Sequence, residues 1–120
     1  MSDPNLLAPT TINGRTMSAA LTTTLTTSIL TCTTNHVFKI KSILVTNIHA
    51  SNSGNVTLDI SDTSQSSTNK LANAIPVPAN STLVLIDSNS PLYLETGDIL
   101  RGGADASSTL VTTICYEDIV

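Results

Sequence analysis

The run VFKIKSILVTNIH, residues 37–49, and the shorter run VTLDIS, residues 56–61, decide how this chain folds. In the second, Val56, Leu58 and Ile60 alternate with Thr57, Asp59 and Ser61. A period of two sends successive side chains to opposite faces of a strand, one face to the core and one to water. In the first, Phe38, Ile40, Leu44 and Ile48 fall on one face with Lys39 and Lys41 opposite. Ile43 and Val45 then make its middle apolar on both sides, as expected of a strand that passes beneath other structure.

Working outward, ASNSGN (50–55) and SDTSQSSTNK (61–70) read as polar loops. Leu71 to Val77 reads as a short strand closed by Pro76 and Pro78, which places it at a sheet edge. Ser81 to Ile86 is a further strand, and PLYLETGDIL (91–100) holds a short strand, a turn at Thr96-Gly97-Asp98 and a new strand start. Gly102-Gly103 reads as a break, and Leu110 to Tyr116 as the last strand. Toward the N-terminus, Leu21, Leu25 and Ile29 are spaced by four, as in a helix. Their threonine neighbours lose rotamer freedom in a helix, so one or two strands are expected there instead. Seven to nine short strands at regular spacing predict an all-β fold: a single antiparallel β-sandwich, jelly-roll-like, over residues 16–120. The predicted core is Phe38, Ile40, Leu44, Val56, Leu58, Ile60, Leu83, Leu85, Leu110 and Ile114.

Residues 1–15 read as an extended N-terminal arm, because Pro4 and Pro9 favour extended backbone before them. Leu6, Leu7 and Ile12 are too few to form a core of their own and are the candidate assembly contacts.

Composition narrows the function. The chain carries 20 Thr and 15 Ser but one Phe, two Tyr and no Trp. Charged residues make up 12%, about half the usual ~25%. A weakly charged, hydroxyl-rich surface suits close packing in an assembly. Net charge is −4, with five basic residues and no basic stripe, so nucleic acid is not an expected partner. The N-terminal residues lack a signal-peptide pattern and no apolar run is long enough to span a bilayer. Neither secretion nor a membrane is expected, and Cys32 and Cys115 are expected to stay thiols.

The groups that do chemistry are sparse. His36 and His49 bracket one strand, roughly 40 Å apart if it is straight. They cannot act on one atom. Cys32 and His36 have a suggestive spacing for zinc but lack two further clustered ligands. Asp59 and Asp62 do not have EF-hand spacing, and Asp98 sits where Asp normally caps its own turn. No catalytic residue, metal ligand or cofactor site is expected, and the chain does not read as an enzyme.

Two stretches carry a family resemblance. PNLLAPTTINGRTMSAALTTTLTTSIL, ending at Leu30, resembles structural proteins of marine tailed phages, cyanophages in particular. VPANSTLVLIDSNSPLYLETGDILRGGADASSTL (77–110) resembles a pattern of small phage virion proteins: a VPA turn with an apolar strand, an L-x-x-GD hairpin, and a Gly/Ala/Ser-rich strand. Together they cover about half the chain. The resemblance implies a virion structural protein, with a capsid decoration or cement protein that binds capsid subunits as the leading expectation. A neck, collar or tail component is the alternative, and a carbohydrate-binding sandwich module of a receptor-binding fibre a second one. The implied partners are copies of itself, as a trimer or ring, and the major capsid protein or neck and tail proteins. The implied location is the virion, after synthesis in the host cytoplasm.

Overall fold

A computed structural model describes residues 4, 6–63, 65–87, 89, 91–106 and 109–120. Among these it contains nine strands and no helix: β1 (Ile12–Ala20), β2 (Ser28–Thr31), β3 (Val37–Asn47), β4 (Gly54–Asp62), β5 (Ser67–Val77), β6 (Thr82–Ile86), β7 (Leu92–Leu94), β8 (Ile99–Ala104) and β9 (Leu110–Ile119). They form two antiparallel sheets. The front sheet runs β1-β9-β3-β6, with β7 also paired to β3, and the back sheet runs β2-β8-β4-β5.

The pairings are nested. β4 pairs β5, β3 pairs β6 and β7, β2 pairs β8, and β1 pairs β9. A long hairpin wrapped on itself in this way, with β6 and β7 counted as one interrupted strand, is a jelly roll. The core between the sheets is aliphatic: Ile40, Ile43, Val45, Val56, Leu58, Leu94, Leu100, Leu110 and Ile114 are fully buried. Phe38 is its one buried aromatic residue, tilted against Tyr116 at a ring separation of 4.8 Å.

Several boundaries differ from the sequence reading. The polar loop expected over 61–70 contracts to a turn, because β4 runs to Asp62 and β5 starts at Ser67. Gly102-Gly103 does not break its strand; β8 passes through both. A Cβ on Gly102 would lie 2.3 Å from the Thr57 carbonyl and 2.4 Å from Leu58 Cδ2. A Cβ on Gly103 would lie 2.6 Å from the carbonyls of Thr22 and Thr24. These glycines permit close approach of backbones within an intact sheet.

The face assignment of β3 also changes. Its register against β9 slips between Ile40 and Ser42, so Lys41 is an extra, bulged residue. A bulge reverses which side chains face the core beyond it. Ile43 and Val45 therefore point inward at 0% exposure, and Leu44 turns outward opposite Val84. Leu44 leaves the predicted core for that reason, and Ile48, past the strand end, is exposed. Ile60, Leu83 and Leu85 are half-buried and pack against the core.

β1 starts at Ile12, so residues 12–15 of the expected arm belong to the sheet. Backbone hydrogen bonds from Thr10 and Thr11 to the Val120 carbonyl carry the pairing slightly further.

Candidate functional site: three neutral rows and a bare edge

The fold scatters the reactive side chains and gives several of them structural partners. His36, before β3, contacts Asp118 Oδ1 through Nδ1, while Arg15 Nε donates to Asp118 Oδ2 at 3.2 Å. This cluster ties β1, the β2–β3 loop and β9 together at one end. At the far end of β3, His49 Nδ1 accepts from the backbone N–H groups of Ser51 and Asn52. Asn47, missed by the sequence reading because an amide breaks the apolar pattern, is buried beside it. It donates to the Asn52 and Val77 carbonyls and accepts from the His49 N–H.

The buried carboxylates of Asp59 and Asp98 are likewise committed. Asp59 is buried on the outward side of β4 and takes two hydrogen bonds from Arg101, at 2.9 and 3.2 Å, which raise the guanidinium pKa further. Asp98 caps its turn by accepting from the Glu95 and Thr63 N–H groups. Among the described residues, no group of three or more His, Cys, Asp or Glu is placed to hold a metal ion.

The two cysteines are apart and unbridged. Cys32 is buried and its thiol donates to the His36 and Leu94 carbonyls, both at 3.2 Å. Cys115 lies on the outside of β9. Hydrogen bonds from Thr16 and then Ser42 hold its thiol pKa below the ordinary value, outweighing desolvation.

What remains is surface. The register places three rows of side chains across the outside of the front sheet: Ala20–Val111–Thr46–Thr82, Ser18–Thr113–Leu44–Val84, and Thr16–Cys115–Ser42. None is charged. Ser18–Thr113 and Thr46–Thr82 hydroxyl pairs at 3.3 and 3.2 Å stitch neighbouring strands together. Cross-strand Thr pairs of this kind stabilise a sheet while leaving a flat, neutral exterior.

The candidate contacts of the arm lie at and before the Ile12 end of β1. Leu7 is 95% exposed, Leu6 47% and Ile12 53%. Ile12 is opposite Ile119 in the β1–β9 ladder, so it is part of a strand, whereas Leu6 and Leu7 precede it. The structure does not bring the three into one packed cluster.

The back sheet holds a cleft of about 210 Å³ lined by Thr23, Leu25, Asn55, Thr57, Ala74, Ala104 and Asp105. Thr57 Oγ1 already accepts from the Ala74 N–H, and one Asp105 oxygen from the Asn55 N–H. No aromatic ring lines it, so it lacks the stacking platform of a typical sugar site.

No protein-family model matches this chain. No curated protein is significantly similar to it.

Proposed function

We propose that this protein is a structural component of a tailed-phage virion, in first place a decoration or cement protein that binds between capsid subunits. The observation that carries the reading is the run of three uncharged rows on the outer face of the front sheet. Three rows of Thr, Ser, Ala, Val, Leu and Cys side chains lie exposed or half-exposed, in a molecule whose His, Asp and Arg side chains are tied into structural pairs. A neutral face of hydroxyl and aliphatic groups contributes by shape, hydrogen bonding and apolar burial, and it opposes no charge on its partner. The exposed Leu6 and Leu7 add apolar area that gains from cover by a neighbour. The resemblance of residues 4–30 and 77–110 to phage virion proteins supplies the setting.

Virion copy number tests this. Quantitative mass spectrometry of purified particles should find hundreds of copies for a cement protein. Twelve or fewer would move the protein to the neck or tail, and its absence from particles would overturn the reading.

A further inference from the structure

A two-sheet sandwich has four strand edges, and each presents unpaired N–H and C=O groups that can template another strand. Three of the four are blunted here. β2 is four residues long and its register slips between Ser28 and Leu30. β5 carries Pro76, Lys70, two register shifts and Ala74 at φ 51°. The remaining edge is divided between β6, of five residues with a register shift against β3, and β7, of three residues.

β1 has none of these devices. It runs nine residues in unbroken register, from Ile12 opposite Ile119 to Ala20 opposite Val111. It contains no proline and one charge, Arg15, whose guanidinium is turned to Asp118. Among the described residues, Ile12–Ala20 make no backbone hydrogen bond outside the β9 ladder.

We infer that β1 is the docking edge for the β1 of a second copy, paired antiparallel about a two-fold axis so that two front sheets become one continuous sheet. The occupant follows from the edges. Any copy of this chain offers β1 one unprotected partner, its own β1, and a strand that pairs with itself must do so isologously. The sequence tolerates that pairing. With Thr16 on the axis, Arg15 is opposite Met17 of the second copy, Gly14 opposite Ser18, and Ile12 opposite Ala20, so no like charges are opposed. The exposed arm of each copy also leaves β1 at the end where the loop carrying exposed Leu25 begins in the other. The front face alone spans roughly 15–20 Å a side, well under the ~800 Å² per partner of a standard interface. Pairing through β1 joins the Thr16–Cys115–Ser42 rows of the two copies into one neutral row and sets the Gly14–Glu117–Lys39 row of each copy in line with the Ser18–Thr113–Leu44 row of the other.

This deepens the assembly reading, yet its test uses the free, full-length chain and is independent of any particle. Light scattering and sedimentation over a concentration series should show a reversible dimer. In a Cys115→Ser background, single cysteines are placed at positions 12, 15, 16, 17 and 20. A residue on the axis has its Cα about 4.5–5.5 Å from its own copy, within disulfide range. Mild oxidation should therefore cross-link Thr16→Cys or an immediate neighbour, and spare Ile12→Cys and Ala20→Cys. The double variant Thr16→Lys/Ser18→Lys should weaken dimerisation at least tenfold with the unfolding temperature little changed. A monomer at every concentration overturns the inference while leaving a virion role standing. So does a dimer that cross-links through Val84→Cys but through none of positions 15–17. Absence from virions, with the dimer intact, would remove the virion reading alone.

Discussion

The two sheets face each other across one core but treat their outer sides differently. Outside the back sheet, Asp59 is buried with Arg101 bonded to it, and Lys70 is its opposite number on β5. The 21–27 loop lies over β8, with Thr22 and Thr27 carbonyls accepting from the Ala104 and Gly102 N–H groups. Outside the front sheet, the rows through Val111, Thr113 and Cys115 hold hydroxyls, short aliphatics and a thiol, and charge is gathered at one end, at Lys39, Lys41 and Glu117. Where a sheet is covered by its own chain, charge appears as a paired and local device. On the front sheet the charges collect at the end near the start of β3 and leave the three rows beyond them neutral.

The largest expected effects test the core that both sheets share. Leu58→Ala on the back sheet and Ile43→Ala on the front sheet should each cost about 2–5 kcal/mol in denaturant unfolding. Leu44→Ala, one residue from Ile43, should cost under about 1.5 kcal/mol, since the bulge at Lys41 turns it outward. Equal costs for positions 43 and 44 would mean the bulge is elsewhere.

Glycine exchanges separate the covered sheet from the open one. Gly102→Ala should destabilise by about 1–3 kcal/mol, because the new methyl meets rigid backbone at Thr57. Gly14→Ala on β1 has nothing within 4 Å of its Cβ. It should be neutral or stabilising by a few tenths of a kcal/mol. Thermal melts of the pair decide whether close backbone approach is confined to the back sheet.

Asp59→Asn should cost roughly 1–2 kcal/mol, less than a fully buried pair would, because Arg101 is 23% exposed and can turn to water. A loss above about 4 kcal/mol would show that the back sheet depends on this charge far more than its geometry implies.

The smallest effect on stability comes at Cys115, where the measurement is chemical. Its thiol is held below the ordinary pKa chiefly by Thr16, so alkylation should set in at lower pH than for a free thiol and well before Cys32 reacts. Thr16→Val removes that hydroxyl and should move the onset to higher pH. An unmoved profile would show that the front-sheet hydroxyls do not bond the thiol.

Alternation in 56–61, threonine density and the spacing of turn residues were enough to determine an all-β sandwich, because period-two burial is a local property of strands. The Asp98 cap was legible too, since it follows from turn chemistry. The inversion of Ile43 and Leu44 was not, because a bulge depends on how β3 registers with β9, a strand some seventy residues away. Continuity through Gly102-Gly103 was hidden for the same reason: what a missing Cβ makes room for lies on β4 and on the 21–27 loop. Nor could the residues alone show that β1 is the one unblunted edge. Edges are defined by which strand lacks a neighbour, and only the nested pairing of distant segments settles that.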